Sequence, residues 1–175
     1  MTQFGLEEIS MDAMKRIMVA VGFNDEYTDG LLKYAAQISQ SLNAELIVGS
    51  IINLRDVEAV DTIAAMGYEV DSKQYIAGIK EERQQTLDQI LKKISLPAEK
   101  VRTIIKIGHP TEELLRMAVN EKVDLIIMGI KGRSDLEHVL VGSVAEKVFR
   151  RSPVPILSYR DEKNAERLRK HILQK

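Results

Sequence analysis

The sequence predicts a single α/β domain built on a parallel β-sheet with helices between its strands. Three observations carry that prediction. Short apolar runs rich in β-branched residues alternate with longer stretches of helical period. Three of the first four runs stop at a glycine, as expected of strands that turn sharply at their carboxyl ends. The chain has 175 residues, the size of one domain and enough to bury a core without covalent staples.

The first run is Ile17-Met18-Val19-Ala20-Val21, halted by Gly22. A first helix follows, marked by Leu31, Tyr34, Ala35, Ile38 and Leu42 at helical spacing. Leu46-Ile47-Val48 continues through Gly49 to Ile51-Ile52 as a second strand. From Arg55 to Tyr75 acidic and apolar residues mix without a clean period, which predicts a loop with a short helix over the sheet's carboxyl edge. Ile76, Ile79, Leu87, Ile90, Leu91 and Ile94 mark a long second helix, with Lys80, Glu81, Glu82 and Arg83 largely on its wet side. A third strand around Val101 to Ile107 ends at Gly108, and Leu114, Leu115, Ala118 and Val119 mark a helix that Thr111 is expected to cap. Leu125 to Met128 form a fourth strand ending at Gly129, and Val144, Ala145, Val148 and Phe149 a fourth helix. Val154-Pro155-Ile156-Leu157 is the last strand. The tail from Arg160 to Lys175 reads as a basic helix with Leu168, Ile172 and Leu173 on one side. Apolar throughout, these strands are expected to be covered on both faces, as in βαβ units.

Composition excludes several classes of function. The formal net charge is −1, from 25 Lys+Arg against 26 Asp+Glu, far from the basic balance of a nucleic-acid binder. There is no Cys, which removes disulfides, thiolate metal sites and cysteine nucleophiles together. Met1 to Met14 has no basic segment followed by an apolar one, and no apolar run approaches the roughly 18–20 residues that span a bilayer. A cytoplasmic protein that binds neither membrane nor nucleic acid is the expectation. His109, His138 and His171 show no metal-ligand spacing, so no metal site is expected of them. The near-neutral total hides segregation. Residues 129–151 hold five Lys+Arg against three Asp+Glu, and residues 160–175 hold six against three.

The glycines carry the functional signal. Met128-Gly129-Ile130-Lys131-Gly132-Arg133 leads through a polar loop to Val141-Gly142-Ser143-Val144. A strand end, a glycine loop and a helix start in this order can cradle a phosphate. Glycine lets backbone amides approach the anion, the helix amino terminus offers unpaired N–H groups, and Lys131 and Arg133 add positive charge. The same residues also fit a purely local reading. Ser143 and Glu146 match a capping box, and Gly129 and Gly132 suit a turn. No P-loop pattern and no G-x-G-x-x-G after the first strand is present, which argues against a motor NTPase or a dehydrogenase.

At these residues the sequence resembles the universal stress protein family. The family's ATP-binding branch carries Gly, two residues, Gly, nine residues, Gly, then Ser or Thr, and Gly129, Gly132, Gly142 and Ser143 satisfy it. Asp124 to Gly129, Gly108-His109-Pro110, Val144 to Val148 and Ser152-Pro153-Val154-Pro155-Ile156-Leu157 extend the likeness. It spans about Lys15 to Tyr159, so residues 1–14 read as an extension, 15–159 as the domain and 160–175 as a basic helical tail.

The resemblance implies an open five-stranded parallel sheet in the order 3-2-1-4-5 with helices on both faces, a Rossmann-like layout similar to that of the adenine nucleotide alpha hydrolases. It implies ATP, with Mg²⁺ as its companion, at the carboxyl ends of strands one and four. Carried over by position, Ala20, Val21, Val48 and Met128 line the adenosine pocket. Gly132, Gly142, Ser143 and Val144 hold the phosphates, and Gly22 and Gly129 end the two strands so that the glycine loop, with Lys131 and Arg133, and the first β–α turn face one crevice. It also implies a homodimer formed through the last strand, Val154 to Tyr159. No general base or nucleophile stands out, so slow ATP hydrolysis is the most that is expected. One departure matters: Gly22 stands where the family usually has an acidic residue facing the nucleotide. The alternative is therefore a non-nucleotide, dimeric interaction module of the same family.

Overall fold

The computed structural model describes residues 14–23, 25–94, 96–130 and 142–174. Five strands form one parallel sheet: β1 (Arg16–Val21), β2 (Glu45–Asn53), β3 (Val101–Gly108), β4 (Leu125–Gly129) and β5 (Ile156–Tyr159). Their order is β3-β2-β1-β4-β5, with β1 and β4 adjacent where the order reverses. The six α-helices among the described residues are α1 (Asp25–Ser41), α2 (Leu54–Ala65), α3 (Ser72–Leu91), α4 (Pro110–Asn120), α5 (Ser143–Arg151) and α6 (Glu162–Leu173).

Strand alternation divides the core in two. Ile17, Val19, Val21, Leu46, Val48, Leu125 and Ile127 pack against α1 and α3 on one face. Met18, Ala20, Ile47, Ile126 and Met128 pack against α4 and α5 on the other. Strands β1, β2 and β4 are buried on both faces, which is why they read as unbroken apolar runs. Edge strands β3 and β5 are only half-buried. At the amino edge Asp124 Oδ2 accepts from the backbone N–H groups of Lys15 (2.8 Å) and Arg16 (2.9 Å), tying the starts of β1 and β4 together. Arg102 bridges Glu45 and Glu121 along the same edge.

Four local expectations are corrected. The stretch after β2 holds more helix than expected: α2 starts at once, with Asn53 Oδ1 accepting from the Arg55 N–H (3.2 Å), and only residues 66–71 form the connection to α3. Asp71 caps α3 in the same way at Lys73 (2.8 Å). The apolar period was hard to read there because α2 buries only Val57. Arg83 is not on the wet side but 6% exposed. Thr111 does not cap α4; His109 holds the N-cap position, Pro110 follows it and Thr111 is buried in the first turn. Ser143 does not cap α5 either. Gly142 holds the N-cap position, and among the described residues no side chain caps that helix.

Candidate functional site at the carboxyl edge of the sheet

The switch point brings three backbone segments together at the carboxyl edge. They are Val21-Gly22-Phe23 after β1, Gly129-Ile130 after β4, and Gly142-Ser143-Val144 at the start of α5. The junction is fixed by one bond: the Gly142 N–H donates to the Ile130 carbonyl at 2.7 Å. The first intrahelical bond of α5 follows, from Glu146 N–H to the Gly142 carbonyl at 2.9 Å. A helix start leaves its first N–H groups without intrahelical partners and carries a partial positive charge. Here it sits beside the end of β4, with Gly142 at its N-cap and no side-chain cap among the described residues. That arrangement suits an anion.

The expected site residues fall in different places. Ala20 and Met128 are register partners on the α4/α5 face, both almost buried. Val21 and Val48 lie on the opposite face against α1 and α3, with Val48 fully enclosed. These four side chains therefore do not share one wall. Gly22 is exposed at the edge, Gly142 is half-buried and Ser143 is exposed beside it. Lys131, Gly132 and Arg133, with Asp135, Glu137 and His138, lie outside the described residues. Among the described residues no group of three or more His, Asp or Glu side chains could hold a metal ion.

Two glycines have different reasons to be glycine. A Cβ on Gly129 would run into the ring of Tyr27 from α1, so the close approach of that ring requires glycine. A Cβ on Gly22 would meet no atom within 4 Å, and its backbone is not in the left-handed region. Neither packing nor backbone demands glycine there.

Sequence reasoning missed two groups that build this edge. Arg83 reaches from α3 to the end of β2, where its Nη1 donates to Ser50 Oγ at 2.8 Å. Ser50 is fully buried and pairs in register with Val21. The guanidinium lies 4.9 Å from the centre of the Phe23 ring. Phe23 itself has φ 48°, a left-handed conformation that costs a bulky residue about 1 kcal/mol or more. Arg83 thus braces the strained turn that leaves β1. Its signal was present in the spacing, because Ile79, Arg83, Leu87 and Ile90 form one helical stripe.

The second group is aromatic. Tyr27 donates its hydroxyl to the Tyr159 carbonyl at 2.6 Å, and Tyr159 packs against both Tyr27 and Tyr34. This cluster clamps the ends of β4 and β5 to α1. Burial pushes the Tyr27 phenol up to about 12, partly opposed by a backbone hydrogen bond with Ile130. Burial also raises Tyr159, helped by the charges of Asp161 and Asp29.

An open five-stranded parallel sheet in the order β3-β2-β1-β4-β5 with helices between its strands defines an α/β protein of the doubly wound class. The sequence profile of the Universal stress protein family matches residues 14–160, and the chain belongs to that family. It is 29% identical over 151 residues to Universal stress protein MJ0577 of Methanocaldococcus jannaschii, covering 82% of this chain and 93% of that one. It is 31% identical over 144 residues to Universal stress protein MJ0531 of the same organism, covering 82% and 80%. The solved structure of hypothetical protein MJ0577 superimposes with a TM-score of 0.69 at 27% identity, over 86% of this chain and 98% of that one. A universal stress protein solved in complex with cAMP shares the fold, with a TM-score of 0.59 at 22% identity over 85% and 98%. No described helix is long and apolar enough to cross a membrane.

Proposed function

We propose that this chain is a nucleotide-binding universal stress protein that holds ATP, with Mg²⁺, at the carboxyl edge between β1 and β4. The observation that carries the reading is the Gly142–Ile130 hydrogen bond, which fixes the start of α5, with Gly142 at its N-cap, against the end of β4. The amides of Ser143 and Val144 and the Ser143 hydroxyl would receive the phosphates, with Gly132, Lys131 and Arg133 on the intervening loop. Gly22 would line the crevice opposite them. Ala20 and Met128 would support the adenosine end from one face of the sheet, and Val21 and Val48 from the other. That a fold neighbour was solved with cAMP supports an adenine nucleotide as the ligand class. Bound ATP supplies a state the protein can report, and nothing here requires fast turnover. Two copies would pair through the outer edge of the sheet along Val154 to Tyr159, which includes β5. We place the protein in the cytoplasm.

A second reading rests on Gly22, which leaves the β1 end without the family's usual carboxylate. On that reading the chain is a dimeric interaction module without nucleotide. Heat-denaturing freshly purified protein and separating what it releases decides between them. Adenine nucleotide approaching one per chain supports the first reading, and its absence after ATP has been supplied supports the second.

A further inference from the structure

Two surfaces outside the edge site leave large apolar side chains exposed and carry opposite charge. The first is the arm formed by α2, the turn after it and the start of α3. It buries only Val57 from α2, while Met66 is 71% exposed and Tyr68 67%, with Ile63, Val70 and Tyr75 exposed beside them. Between Asp56 and Ser72 the arm carries five carboxylates and no Lys or Arg. The second surface is α6, which buries none of its residues. It exposes Ile172 by 69% and Leu173 by 85% at its end.

Charge distinguishes the two. Residues 160–175 hold six Lys+Arg against three Asp+Glu. Within α6, Glu162 is paired with Arg169 and Glu166 with Lys170 (2.9 Å), so its acidic groups are already matched internally and Lys163 and Arg167 set its sign. An apolar acidic arm and an apolar basic helix on one chain are complementary in both respects. Both leave the carboxyl edge of the same sheet, the arm after β2 and α6 after β5, yet within one chain Met66, Tyr68, Ile172 and Leu173 all stay exposed.

We infer that the arm of one copy receives α6 of a second copy, with Leu173 seated against Met66 and Tyr68 and Lys163, on the same side of the helix, facing the carboxylates. Reciprocal exchange closes the contact as a two-fold dimer in which each copy gives one helix and receives one. This contact is separate from strand pairing along β5. Pairing of strands rests on backbone hydrogen bonds and responds little to salt, whereas the arm–helix contact rests on opposite charge and weakens with it.

The absence of cysteine makes the test direct. A Met66→Cys chain and a Leu173→Cys chain are mixed in equal amounts at low salt and mildly oxidised. The expected product is the mixed disulfide, exceeding both like-with-like products and falling several-fold when salt is raised to about 1 M. Like-with-like products dominating, or no cross-linking, would overturn the inference. The double variant on one chain separates the remaining occupant. Disulfides between chains support a second copy, and a disulfide closed within the chain at high dilution assigns α6 to its own arm and overturns it. In sedimentation equilibrium, Leu173→Asp, a change at an exposed position, is expected to raise the dissociation constant of the salt-sensitive dimer by about tenfold or more. An unchanged constant counts against the contact.

Discussion

Gly22 and Gly129 show how much one residue can conceal. Both end strands at the switch point, and in the sequence they look alike. Gly129 is glycine because the Tyr27 ring occupies the space of a Cβ, a tertiary contact that no local pattern reveals. Gly22 has open space around it and an ordinary backbone, so the position accepts a side chain. Gly22→Asp is therefore expected to leave stability unchanged or raise it by less than about 1 kcal/mol. If the crevice takes a nucleotide, the new carboxylate is expected to tighten ATP binding by about tenfold, the order of one charged hydrogen bond. Titration calorimetry of the two proteins checks this, and equal or weaker binding by the variant would count against it. Tyr27 provides a second test at this scale. Folding holds its phenol protonated up to about 12, whereas an unfolded tyrosine releases its proton near 10. The stability this contributes is complete below pH 10 and is lost as pH rises from there toward 12. Melting temperature should therefore fall more steeply above pH 10 for the wild type than for Tyr27→Phe, and matching slopes would refute the assignment.

At the scale of elements, the strands were legible because burial on both faces writes itself as continuous apolar sequence. Helices α1, α3, α4 and α5 were legible through their stripes. Helix α2 was not, since a helix that buries one residue leaves no stripe to read. Its start was written instead in the Asn53 cap, a signal more local than periodicity. Arg83 shows the opposite failure: its position in the stripe was visible, but its charge argued for solvent. The stripe prevailed because Ser50 and Phe23 receive the guanidinium. Arg83→Met keeps the stem and removes that group, leaving a buried hydroxyl without this donor and Phe23 without its cation. The expected loss is about 1–3 kcal/mol in denaturant unfolding, and Arg83→Lys should not restore it, because an ammonium cannot reproduce the planar group. A change below about 0.5 kcal/mol for Arg83→Met would show that the brace is not needed.

Over the whole molecule, the two edges of the sheet divide the labour. The amino edge is closed by Asp124 across β1 and β4 and by the Arg102 pairs. The carboxyl edge carries the start of α5, the open Gly22 and the bracing Arg83 and Tyr27. The sheet order followed from the sequence once its glycines were placed in a family pattern, whereas the contacts that close the amino edge did not. Alternation sends Ala20 and Met128 to one face of the sheet and Val21 and Val48 to the other, a separation that a list of positions does not display. Titration of ATP with Mg²⁺ into the full chain, beside Gly142→Val, tests nucleotide binding at this edge most directly. Saturable binding to the wild type below millimolar concentration, weakened at least about tenfold in a variant that still melts cooperatively, is the predicted result. No binding below millimolar, or equal binding by both proteins, would contradict it.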